Sequence, residues 1–169
     1  QRAARARRFR RRLLDSDLVA GRARLRPARP AAGALALTLA SSALAEGQTH
    51  HVAIQVNSND AHVMNMALNN AVNVTRYYES QGDDVVIELV AYGPGLTMLI
   101  PDRSPVEDRI NAMGLEYDNM SFRACGNTHR NWSQREGVDI ALLDGVTITP
   151  SGVVRLVELQ EQGYAYIRP

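Results

Sequence analysis

The chain has no lysine and only one cysteine, Cys125. A single cysteine excludes an intramolecular disulfide, so the thiol is packed away, paired between chains, or reactive. No glycine-rich loop is followed by lysine, which excludes the usual phosphate cradle and disfavours flavin or nucleotide binding. No Gly-x-Ser-x-Gly elbow is present, which removes the common serine hydrolase arrangement. No apolar run reaches the roughly 20 residues that span a bilayer.

The formal net charge of +1 conceals two unlike parts. Residues 1–45 carry 11 arginines and two acidic residues, a net of +9; residues 46–169 carry eight arginines and 16 acidic residues, a net of −8. A basic leader on an acidic body is not the pattern of a nucleic-acid binder. Within the leader, Arg22, Arg24, Arg26 and Arg29 precede an apolar run over residues 31–42, and Ala43-Leu44-Ala45 follows the small-x-small cleavage rule. This predicts a signal peptide cut before Glu46, a periplasmic or secreted product, and no membrane span after cleavage. The remaining 124 residues suffice for one domain with its own core.

Along that body, apolar periodicity alternates between two kinds of element. His51–Val56 is a short β-rich run that stops at the turn residues 57–60. Met64, Ala67, Leu68, Ala71 and Val74 then recur at helical spacing until Gly82. Residues 84–92 form a second strand with an apolar centre, and Gly93-Pro94-Gly95 ends it. Ser104-Pro105-Val106-Glu107 has the make-up of a capping box opening a helix that Gly114 closes. Met120–Ala124 reads as a third strand, Thr128–Glu136 as a short helix, and Val138–Leu143 as a fourth strand. A last helix over Val153–Gln162 and a last strand over Tyr164–Arg168 complete the series. Strands alternating with helices predict an α/β fold: a five-stranded parallel sheet with helices on both faces, a flavodoxin-like three-layer sandwich. The order expected for it is 2-1-3-4-5.

Ligands of such sheets bind beyond the carboxyl ends of the strands. The sequence puts Asn57 and Asn59 after strand one, and Gly93 and Gly95 after strand two. Cys125, Gly126, Asn127, Thr128 and His129 follow strand three, and Asp144, Gly145 and Thr147 follow strand four. Cys125 precedes a helix that Asn127 or Thr128 can cap, and amides at a helix start lower a thiol pKa. His129 and the neighbouring Arg123 and Arg130 add positive charge. The alternative is a small buried apolar cysteine with no chemistry. His62 with Cys125 and His129 would be a metal site only if three loops converged, so neither metal nor cofactor is expected. Tyr92 reads as packing.

Around Cys125 the chain resembles the DsrE/DsrF-like family, including its small YchN-type members and an exported branch. The resemblance is carried by His51–Val56 with its long helix, Tyr92-Gly-Pro-Gly-Leu96, Phe122-Arg-Ala-Cys-Gly-Asn-Thr128, and the closing segment from Pro150 to Gly163. It covers almost all of residues 50–169. It implies a DsrE-like five-stranded parallel sheet, assembly into a homo-oligomer (trimer or hexamer), and a cysteine matching Cys125 that carries sulfur as a persulfide between donor and acceptor proteins. The relay members work in the cytoplasm, and the residues around their cysteine differ from those here. Two functions therefore stand side by side. One is a single-thiol sulfur carrier of sulfurtransferase-like type; a carrier needs no resolving cysteine. The other is a non-enzymatic oligomeric protein that binds a small ligand or partner, with Cys125 as packing.

Overall fold

The computed structural model describes residues 47–169, so the leader and the expected cut before Glu46 lie outside the described residues. The elements run β1 (Thr49–Val56), α1 (Ala61–Gln81), β2 (Asp84–Ala91), a 3-10 segment (Gly93–Leu99), α2 (Glu107–Glu116), β3 (Met120–Cys125), α3 (Gly126–Glu136), β4 (Thr147–Thr149), α4 (Gly152–Glu161) and β5 (Ala165–Ile167). Among the described residues no helix is long and apolar enough to cross a membrane.

Local chemistry accounts for the best-formed pieces. In β1, Val52, Ile54 and Val56 point to one face and Ala53 and Gln55 to the other, and all are buried. Asp60 caps α1 by accepting the His62 N–H at 2.8 Å. Met64, Ala67, Leu68, Ala71 and Thr75 form the buried stripe of α1. Gly82 ends it in the left-handed conformation at φ 80°, where its N–H reaches the Glu79 carbonyl.

All five strands are parallel, and their order is β4-β3-β2-β1-β5. This corrects the expected 2-1-3-4-5. The first three crossovers all step the same way across the sheet, so right-handed connections put α1, α2 and α3 on one face. The fourth crossover runs back past β1 to the far edge and must put α4 on the opposite face. The packing agrees. Met64 and Leu68 of α1 and Ile110 and Met113 of α2 join Ile54, Ile87, Leu89 and Phe122 in the larger core, with Trp132 of α3 packed against it. Leu156 and Leu159 of α4 meet Ala53 and Val90 in a smaller one. The molecule is thus a three-layer α/β sandwich.

Three local expectations fail. Val138–Leu143 is not a strand: Ile140 donates its N–H to Ser133 Oγ at 3.1 Å and Leu143 to the Leu99 carbonyl at 3.0 Å. It is a loop that sends Ile140 and Leu143 into the larger core and leaves Val138 58% exposed. The fourth strand is Thr147–Thr149 instead. Nor does the capping box form. Ser104 Oγ accepts from Val106 N–H and Glu107 turns back to Asp102 N–H, so α2 begins at Glu107 with no side-chain cap. That helix also continues through Gly114 to Glu116.

Candidate functional site

Strand alternation decides which way the cysteine faces. Phe122 and Ala124 of β3 enter the larger core, so Arg123 and Cys125 lie on the α4 side of the sheet. Cys125 is both the last residue of β3 and the N-cap of α3. Its register partner on β4 is Thr149, three residues before α4 begins. The chain leaves β3 toward one face and leaves the adjacent β4 toward the other. Adjacent strands whose exits diverge mark the crevice of an open parallel sheet. Here that crevice lies between β3 and β4, and the starts of α3 and α4 both border it.

Glycine at each helix start permits the approach. A Cβ on Gly126 would lie 2.9 Å from the Thr149 carbonyl oxygen and 3.1 Å from Ile148 Cγ2. A Cβ on Gly152 would lie 3.1 Å from the Cβ atoms of both Cys125 and Tyr92. Either contact is tighter than ordinary packing allows, so a larger residue would push the two helix starts apart.

Cys125 is 5% exposed. Burial pushes its thiol pKa up, since it disfavours the charged form. The Gly152 N–H, the Thr128 hydroxyl, and the Thr128 and Asn127 N–H groups act against burial, and the net direction is down. The Gly152 amide comes from α4 and the other three donors from α3. Thr128 also fastens the loop after β2, because its Oγ1 accepts the Gly93 N–H at 2.9 Å. That bond uses a lone pair and leaves the hydroxyl proton free for the sulfur.

The rim residues read from the sequence therefore divide. Gly93, Gly126, Asn127 and Thr128 gather at Cys125, Asn127 through its backbone, since its side chain is exposed and holds Arg130 at 2.5 Å. Gly95 and Asn57 lie together one strand further along. A side chain on Gly95 would overlap the Val56 carbonyl, with the Asn57 Cα 2.8 Å away. Their place is structural, closing the 3-10 segment over the end of β1. Asn59 is exposed in the turn before α1. His129 is turned to the Ile140 carbonyl, 2.6 Å from its Nε2, and lies 3.9 Å from Asp139. It is not among the groups that lower the Cys125 pKa, which corrects the role expected of it. Asp144 and Gly145 precede β4 and Thr147 opens it, so all three sit at the wrong end of that strand to form the rim.

The sequence reading passes over two features. Gly152 is hidden by the misplaced fourth strand; with β4 at Thr147–Thr149, the rim rule selects Pro150-Ser151-Gly152 directly. The second is a buried charge cluster further down the same face, with Arg123 one pleat from Cys125 and Glu88 in register with Ser121. Glu88 of β2, 4% exposed, accepts a two-pronged contact from Arg155 of α4, Nε to Oε1 at 2.7 Å and Nη2 to Oε2 at 2.9 Å. Arg123 Nε lies 3.5 Å from Glu88 Oε2, and Arg123 Nη1 donates to Thr147 Oγ1. A lone acid amid apolar strand residues was the available signal, since such a charge needs partners. Among the described residues no group of three or more His, Cys, Asp or Glu gathers as a metal site would require.

No protein-family model and no curated protein matches the chain. Among solved structures it is similar to MTH1491, a protein of unknown function from Methanobacterium thermoautotrophicum. The identity is 30% and the TM-score 0.59, over 71% of this chain and 99% of that one. With that identity over nearly the whole of its relative, the chain belongs to the same family as MTH1491.

Proposed function

We propose that the protein is a DsrE/DsrF-like sulfur carrier that holds sulfane sulfur on Cys125 as a persulfide. The observation that carries the reading is the convergence of two helix starts on one sulfur atom, with amides of Gly152, Thr128 and Asn127 and the Thr128 hydroxyl lowering its pKa. A thiolate is the nucleophile in persulfide chemistry. The Cys125 thiolate attacks the outer sulfur of a donor persulfide; the donor thiol leaves, and Cys125 carries the added sulfur. An acceptor thiolate then attacks that outer sulfur and releases Cys125 as a thiolate. The exchange is balanced and needs no oxidant. A persulfide is more acidic than a thiol, so it is held as an anion by the same donors. The signal-peptide pattern read from the sequence supports a carrier that works outside the cytoplasm, and the half-covered α4 face, where Val153 and Val154 are each 53% exposed, supports assembly into a homo-oligomer, read here as a trimer or hexamer.

The 5% exposure of Cys125 favours a second reading, an oligomeric binding protein whose cysteine only packs. Mass spectrometry of the folded protein after exposure to a persulfide donor separates the two. One added sulfur on Cys125, removed by a thiol acceptor, is the carrier result. An unmodified Cys125 in the folded protein that takes up sulfur only after unfolding is the packing result.

A further inference from the structure

The geometry points to an anion subsite on Arg123 beside Cys125, which would take the carboxylate or oxoanion group of a small sulfur donor or acceptor. This inference rests on Cys125 being the reacting group. Arg123 and Cys125 are two residues apart on the same face of β3, so their Cα atoms are about 6.6 Å apart. Arg123 lines a depression of about 260 Å³ together with Thr149, Pro150, Arg155 and Glu158. Thr149 is the register partner of Cys125, and Pro150 leads into the α4 start that overlies it. The depression therefore lies one pleat along β3 from Cys125, which does not itself line it.

Arg123 and Arg155 are matched in number by Glu88 and Glu158, but the pairing is uneven. Both oxygens of Glu88 are engaged by the Arg155 fork. Arg123 is left with a 3.5 Å ionic approach to Glu88, one bond to the Thr147 hydroxyl, and a buried Nε without a hydrogen-bond partner. One carboxylate thus serves two guanidiniums. The remaining acid, Glu158, lies on the rim 3.5 Å from Arg155 Nη1 with its side chain 49% exposed. An arginine with unused donors in a polar recess is suited to a planar carboxylate or an oxoanion, which accepts two parallel N–H groups. A buried unsatisfied donor shows that protein groups do not saturate this guanidinium, and the exposed part of the Arg123 side chain, 32% of it, is what an arriving anion would meet.

The test uses the folded protein and three methanethiosulfonates: sulfonatoethyl, aminoethyl and methyl. In each reaction the thiolate attacks the sulfenyl sulfur, a mixed disulfide forms and methanesulfinate leaves. We expect the anionic-to-cationic rate ratio at Cys125 to exceed that of the unfolded chain by about tenfold or more at low salt. High salt should reduce it. Arg123→Gln should lower the ratio about tenfold while the uncharged reagent keeps its rate. Glu158→Gln, a change at an exposed residue, should raise the ratio and keeps the test open if Arg123→Gln does not fold. Equal ratios in the wild type and both variants would overturn the subsite, as would a folded protein in which Cys125 reacts with none of the three reagents. Persulfide uptake without charge selectivity would remove the subsite and leave the carrier; selectivity without uptake would do the reverse.

Discussion

The two faces of the sheet are built from different chemistry. Under α1, α2 and α3 the strands offer Val52, Ile54, Val56, Val85, Ile87, Leu89, Phe122 and Ala124, which pack into a continuous hydrocarbon core. Under α4 the same strands offer Ala53 and Val90, but also the Gln55 amide, the Glu88 carboxylate, the Arg123 guanidinium and the Cys125 thiol. Two of these polar groups have specific partners: Tyr166 donates to Gln55, and Arg155 pairs with Glu88. Strands of a parallel sheet are normally apolar on both faces. One face here supplies the burial that holds the fold together, and the other gives up some of it to hold charge next to a sulfur atom.

Truncation on each face sharpens that contrast. Leu68 is fully buried in the larger core, so Leu68→Ala should cost about 3–4 kcal/mol. It should leave the Cys125 titration where it is in the wild type. Glu88→Gln should cost less, about 2–3 kcal/mol, because Arg155 keeps 23% of its side-chain exposure and water relieves part of the uncompensated charge. Unlike Leu68→Ala, it should alter the reactivity of Cys125 through the two arginines it releases. Chemical denaturation paired with thiol alkylation rates checks both. Equal effects of the two substitutions on the thiol would erase the distinction between the faces.

A smaller effect is expected at the hydroxyl that links the rim loops. Thr128→Val removes the acceptor of the Gly93 N–H and one of the donors that lower the thiol pKa, so it should cost about 1–2 kcal/mol. Thr128→Ser should restore most of it. The pH dependence has a defined sign. A thiol whose folded pKa is depressed favours the folded state when ionised. That stabilisation is fully present above the pKa of the unfolded thiol and is lost as pH falls through the folded pKa. The stability difference between wild type and Cys125→Ser should therefore grow as pH rises through that window, and by less in a Thr128→Val background.

The parts of the fold that were legible in the sequence had a local cause. The periodic stripe of α1 lies between Asp60 and Gly82, and both its bounds follow from cap chemistry. The strand ending at Cys125 shows in its alternation. The fourth strand did not, because Thr147–Thr149 is short and polar while the loop Val138–Leu143 is longer and more apolar. Composition alone favours the loop, and only pairing with β3 selects the threonines. That single displacement hid Gly152 and turned attention to Asp144, Gly145 and Thr147. The strand order was illegible for a related reason, since only the direction of each crossover sets it. Cys125 itself was found because its position depends on β3 alone.

The most direct measurement is the pH dependence of Cys125 alkylation in the folded protein, set beside that of the unfolded chain and of Gly152→Ala. The account predicts a folded midpoint below the unfolded one, and a rise toward it when a methyl at residue 152 pushes the α4 amide away from the sulfur. A folded midpoint equal to or above the unfolded value would contradict it, because burial would then outweigh the donors of both helix starts.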